Sequence, residues 1–453
     1  MVTIAGFVIL VLVILTSKIF YRSVITPLGI YFGIWIVSFS LYQLRLIRYR
    51  DSSDFMLFLL FSSFLTFFLG SMTEVLQFSK SKGSYRVPMQ TSLERFKRKV
   101  IRNEGKILWL IRIFLLVSFL GTILLWINLH SIFGSFGKIF SHGFLIKQEK
   151  LGRIVFANYM SDLAYPAAFL SICYIGFVDH KRLICYLPIL CAAVRGLSLF
   201  GRGPILIGIL IYINGYLLIR LQERRRPFKF YLVTSVILLI CFTGSNFLLD
   251  LRVGNMRSPY RAYVNRKYLD RIDKVPRFLG SQKSLLAAYH YFSGPFAAFD
   301  ATLQNRDAYY LGQASFTPFF RFLSKIKLAN DEDVKKMGLR QVVRVPAPVL
   351  LATYLSGAYL DFGVMGVLFL PYILGFVSTG YYFRLVRRPA FLSLFLNIIL
   401  LVFIEFSVLI NVFRWTSMVI TLVVIVLLGL YLDKQSTRTL TTSNSKIQPI
   451  PRG

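Results

Sequence analysis

Two arginines interrupt an otherwise apolar stretch, Arg195-Gly-Leu-Ser-Leu-Phe-Gly-Arg-Gly-Pro-Ile-Leu-Ile-Gly-Ile-Leu, residues 195–210. A guanidinium inside a membrane span costs roughly 2.5–3.5 kcal/mol on the insertion scale, so such a residue faces a cavity or an ion partner. Gly201-Arg-Gly-Pro204 breaks the apolar run, and Pro204 fits the first turn of a following helix, where its missing N–H is no loss. Arg202 then stands beside free helix-start amides and the positive end of a helix dipole, with glycines that let an oxygen approach the backbone. A guanidinium fork with such amides suits a phosphate or pyrophosphate. The competing reading is an interfacial arginine that snorkels to lipid headgroups. Arg195 ranks second, on the same face only if the helix continues through Gly196 and Gly201.

Other ionisable or polar residues fall inside apolar runs or at their ends: Asp162, Asn246, Asp250, Asp361, Glu405 and Arg414. Such groups are functional candidates by default, with a structural ion pair or helix cap as the alternative for each. The four histidines, His130, His142, His180 and His290, have no metal-pair spacing, and no zinc or disulfide pattern exists. Cys173, Cys185, Cys191 and Cys241 read as small buried hydrophobes. No bound metal and no cofactor are expected.

The elements that must position these groups are helices in lipid. The chain is 56% hydrophobic and 16% aromatic with a mean hydropathy of +0.62, outside the balance of a soluble globular protein. At roughly 20 apolar residues per span, spans are expected near 2–20, 27–44, 55–77, 107–128, 157–178, 183–199, 204–220, 230–249, 350–380, 390–411 and 415–432. The expected fold is an all-α polytopic membrane protein of about eleven transmembrane helices with one large external loop carrying amphipathic helices. Its parts are N-terminal membrane helices over 1–249, the loop over 250–349, C-terminal membrane helices over 350–432 and a polar tail over 433–453. The first span lacks a basic leader and a cleavage site, so it reads as retained.

Segment 78–106 holds nine basic residues against two acidic ones, which places it and the polar tail on the cytoplasmic side. Arg45, Arg48 and Arg50 vote weakly the other way. The same phase puts 200–203, 250–349 and 412–414 outside. The 250–349 region carries 17 Lys and Arg against 8 Asp and Glu, interleaved with Tyr and Phe. Its short apolar runs, 285–292 and 316–323, read as amphipathic helices on the membrane face. Basic groups beside aromatic rings suit phosphates and sugar rings, or anionic lipid. Nucleic acid is not an expected partner on an external face.

Gly201-Arg-Gly-Pro204 opening an apolar helix, Tyr289-His-Tyr-Phe-Ser-Gly-Pro-Phe-Ala-Ala-Phe-Asp300 in the long loop, and Thr353-Tyr-Leu-Ser-Gly-Ala-Tyr-Leu-Asp-Phe-Gly-Val-Met-Gly366 follow one another in an order that resembles Wzy-type oligosaccharide repeat-unit polymerases. The similarity, shared with O-antigen and enterobacterial common antigen polymerases, runs from about residue 180 to 430, and the first third matches in hydropathy alone. It implies a metal-independent glycosyltransferase of the bacterial plasma membrane. Donor and acceptor would be undecaprenyl-pyrophosphate-linked glycans, with membrane lipids, a chain-length regulator and a flippase as further partners.

Charge develops on the departing diphosphate, so preorganised cations there lower the barrier most. Arg202 and Arg414, helped by Arg252 or Arg257, are the candidates for that role, with Arg195 behind them. An acceptor hydroxyl needs a base in hydrogen-bond reach, and Asp300, His290 and Asp361 are candidates in that order. The rival expectations are a flippase for the same lipid-linked oligosaccharide, a ligase that uses the same donor, and a scaffold in a polysaccharide assembly complex. Internal repeats, the usual mark of a transporter, are not evident.

Overall fold

The computed structural model describes residues 15–18, 26–45, 49, 52–80, 89–142, 154–178, 183–199, 201, 203–223, 283–304, 309–325 and 352–444. Among these residues the regular structure is entirely helical. In chain order the helices are α1 (Pro27–Gln43), α2 (Asp54–Lys80), α3 (Met89–Arg102), α4 (Glu104–Phe133), α5 (Phe136–Ser141), α6 (Val155–Asp162) and α7 (Ala164–Phe177). They continue as α8 (Leu187–Ser198), α9 (Gly203–Glu223), α10 (Lys283–Gln304), α11 (Thr317–Lys325), α12 (Tyr354–Arg387), α13 (Phe391–Phe406) and α14 (Thr416–Asn444). Five segments among the described residues are long and apolar enough to cross a membrane: α2, α4, α6 with α7, α12, and α14 to Lys434. The protein is thus an all-helical membrane protein. The expected span 230–249 and most of 2–20 lie outside the described residues. The polar tail differs from expectation, because the α14 backbone stays helical for ten residues past Lys434.

By contact density the chain forms two units that interleave along the sequence. The first takes Met1–Lys82, Val253–Tyr382 and Leu400–Val419; the second takes Gly83–Arg252, Phe383–Ile399 and Ile420–Gly453.

In the first unit α1 is the central post. Thr26 caps it by accepting Gly29 N–H at 3.0 Å, and Pro27 begins it. Tyr31 and Trp35 are fully buried. Tyr31 stacks on Phe67 of α2, and its hydroxyl lies 3.0 Å from that of Tyr354. Trp35 donates its indole N–H to Ser407 Oγ at 2.7 Å and meets Phe296 of α10 edge-on. The segment of α10 from Ser293 to Asp300 is buried throughout. Small residues Ser293, Ala297 and Ala298 let it pack closely on the aromatic face of α1, whereas Tyr291 and Phe292, at the end of the run expected as a surface helix, are exposed. By contrast α11 is a surface helix, with Phe319 and Phe322 55% and 59% exposed.

α2 and α12 touch through reciprocal glycines. A Cβ on Gly70 would stand 2.1 Å from Tyr372 O, and one on Gly375 would stand 2.3 Å from Phe67 O. Each glycine therefore admits the other helix's backbone, the small-residue contact that membrane helices use in place of a hydrophobic drive. Overpacking of this kind costs typically about 1–3 kcal/mol. Gly70→Val and Gly375→Val should each lower the melting temperature and folded yield in detergent, whereas Gly33→Ala, where a Cβ meets nothing within 4 Å, should change neither. Equal melting of Gly70→Val and wild type would contradict the contact.

In the second unit Phe96 of the basic helix α3 is buried against Phe177 and Phe391. The carboxylate of Asp433 accepts the first amides of α13, Phe391 N at 3.1 Å and Leu392 N at 3.2 Å, satisfying donors a helix start leaves open.

Candidate functional site

Asp361 stands where α12 breaks. Gly363 has φ 63° and ψ −144°, a combination that a Cβ disfavours, so residues 354–362 and 364–387 are separate helical pieces. The carbonyls released by the break are taken by the segment 309–316. Tyr310 N donates to Leu360 O at 3.1 Å, and Leu311 N donates to Asp361 O at 3.2 Å. The Asp361 carboxylate in turn accepts Ala314 N at 2.8 Å and Ser315 N at 2.7 Å. The segment turns through Leu311 at φ 47° and Gly312 at φ 93°. A side-chain-bearing residue in that region stores on the order of 1–3 kcal/mol and survives only where its surroundings hold it. Here the four amide bonds to the α12 break supply the hold.

A third segment joins this knot. Asn411 Nδ2 donates to Ser315 O at 3.2 Å, and Asn411 Oδ1 accepts Phe413 N at 3.0 Å, closing the short helical turn Val412–Arg414. That turn packs against α11 and carries Arg414, half-buried. Burial pushes the Arg414 pKa down, the Asp361 carboxylate opposes that shift, and the Arg321 guanidinium adds to it. Arg321, on α11, is exposed. The turn that bears Arg414 thus packs on the short helix that bears Arg321 and the exposed Phe319 and Phe322. An anion with an apolar tail satisfies both features.

The second group sits on α10 and belongs to the same unit. His290 Nδ1 lies 2.7 Å from the Tyr49 hydroxyl, which lies 2.9 Å from Ser293 Oγ. Asp300 is buried, accepts a short bond from Ser53 Oγ, and takes a longer one, 3.3 Å, from Gln304 Nε2. Ser53 also caps the start of α2 by accepting Met56 N–H at 3.1 Å. Through Trp35 the two groups share a frame, since that ring meets Phe296 of α10 while its N–H holds Ser407, whose carbonyl accepts Tyr354 N at the start of α12.

Burial pushes the His290 pKa down from 6.5 to about 4. An unfolded chain takes up that proton below about 6.5 and the folded one only near 4, so this part of the stability is complete above 6.5 and is lost as pH falls toward 4. The loss is of order 2 kcal/mol after allowing for partial exposure. His290→Gln should therefore melt with a shallower decline between pH 7 and pH 4.5 than wild type; parallel declines would contradict a buried neutral imidazole.

The remaining arginines fare differently. Arg202, Arg252 and Arg257 lie outside the described residues. Around the first, α9 starts at Gly203 with Pro204 second, and Gly201 N donates to Gly196 O at 2.9 Å. Arg195 requires a correction. It is 4% exposed and ion-paired with Asp162, itself 2% exposed, and its Nη1 donates to the Tyr165 hydroxyl at 3.0 Å. Its charge is neutralised inside the second unit, which makes it a structural cation and not part of an open anion site. Asp361, with both oxygens accepting amides, is an anchor for the 309–316 segment.

Arg321, Asn411, Ser53 and Tyr49 were not singled out by sequence. Arg321 alone left a signal, a charge among the phenylalanines of Thr317-Pro-Phe-Phe-Arg-Phe322. Among the described residues no three His, Cys, Asp or Glu side chains converge as metal ligands. No protein-family model, no curated protein and no solved structure matches the chain.

Proposed function

We propose that this protein joins polyprenyl-pyrophosphate-linked oligosaccharide repeat units into a long surface polysaccharide at the outer face of a bacterial plasma membrane. The observation that carries the reading is the packing of the Val412–Arg414 turn, with its half-buried Arg414, on α11, which carries Arg321 and the exposed rings of Phe319 and Phe322. A guanidinium pair suits a diphosphate, and exposed aromatic rings at a lipid boundary suit its polyprenyl tail. The full topology in this reading is about eleven spans, with residues 250–349 external and the C-terminus cytoplasmic.

The reaction is one displacement. An acceptor sugar hydroxyl oxygen attacks the anomeric carbon of the donor glycan, and the bond from that carbon to the diphosphate oxygen breaks. Its electron pair leaves with undecaprenyl diphosphate, and the hydroxyl proton passes to a base. Arg414 and Arg321 hold the leaving group. Asp300 and then His290 are the candidate bases. Asp361 acts indirectly, by fixing the segment that places α11.

Cells that lack the protein should accumulate single lipid-linked repeat units on the outer face of the membrane and make no glycan ladder. Units trapped on the cytoplasmic face would favour a flippase. A full ladder that fails to reach its final lipid acceptor would favour a ligase.

A further inference from the structure

In the second unit a groove of about 550 Å³ runs between α4 and α14. Trp109 and Phe114 from α4 and Leu427 from α14 form much of its wall, and Trp109 is 60% exposed. Lys106 lines the same groove one turn before Trp109. Arg102 ends α3 four residues ahead of Lys106, and exposed Arg112 follows on the helical face of Gly105, seven residues on. Nearby, Glu104 accepts from the Tyr174 hydroxyl at 2.8 Å, and Asp433 caps α13. Gly105, also in the wall, would place a Cβ with nothing within 4 Å, so the groove is open there.

We propose that this groove holds one anionic glycerophospholipid of the surrounding leaflet. An acyl chain lies along Trp109, Phe114 and Leu427, and the phosphate rests at Lys106 with Arg102 beside it. The charge of the rim selects the headgroup, since basic residues at the end of a membrane helix attract anionic lipid.

The test is native mass spectrometry of the delipidated full chain in detergent, titrated separately with dioleoyl-phosphatidylglycerol and dioleoyl-phosphatidylcholine. Wild type should retain one phosphatidylglycerol with roughly tenfold preference. Arg102→Gln with Lys106→Gln should erase the preference while leaving weak binding of both lipids. Gly105→Leu, which adds a side chain where there is open space, should lower retention of both. Equal retention of the two lipids by wild type, or unchanged retention by Gly105→Leu, would overturn the proposal. So would a wild-type dimer that carries no lipid and dissociates on Gly105→Leu, since the groove would then seat a second copy.

Discussion

Arg414→Ala should abolish long glycan ladders while single lipid-linked units persist at the outer face. Removing one preorganised group from a developing oxyanion typically lowers the rate about 10²–10³-fold, enough to erase a product that needs many successive transfers. Arg414→Lys keeps the charge but loses the planar fork, so it should give short ladders. Arg321→Ala should give a smaller defect, because its side chain is exposed and solvent screens it. Asp361→Asn tests the support: it weakens acceptance of the Ala314 and Ser315 amides and should shorten ladders and lower the melting temperature together. A normal ladder from well-expressed Arg414→Ala would remove Arg414 from the reaction.

The second large effect concerns stability alone. Arg195 and Asp162 form a buried pair, and removing one partner of such a pair leaves an uncompensated charge at about 3–5 kcal/mol. Arg195→Met should lower the melting temperature on the order of 10 °C. Asp162→Leu should do the same, for the guanidinium would then be left with the Tyr165 hydroxyl and ring. The double variant Arg195→Met with Asp162→Leu should recover much of the loss, since two apolar side chains of similar bulk remove both charges at once. A double variant no more stable than either single one would show that the pair is not the source of the loss. The stable double variant should also keep its ladders, which separates Arg195 from the chemistry.

The helices were legible because lipid demands long apolar runs, and 55–77, 107–128 and 390–411 each lie within a few residues of an observed helix. Partners were not. Asp162 and Arg195 are separated by 33 positions, and nothing in either local pattern names the other. The α12 break was legible only as Leu-Asp-Phe-Gly in an apolar stretch; whether Gly363 takes a positive φ depends on amides arriving from 310–315. Arg321 is not legible because a charge on an exposed helix reads as a solvated one, and only the fold packs the turn bearing Arg414 on that helix.

In the proposed reaction guanidinium groups at the membrane boundary hold a diphosphate while sugars are joined. The most direct measurement uses the purified full chain in proteoliposomes with repeat units linked to undecaprenyl diphosphate. Wild type should give lipid-linked glycans that lengthen by whole repeat units, with one undecaprenyl diphosphate released for each bond formed, and Arg414→Ala should give neither product. Repeat units that cross the bilayer without lengthening, or that remain unchanged while the protein is folded, would contradict that reaction.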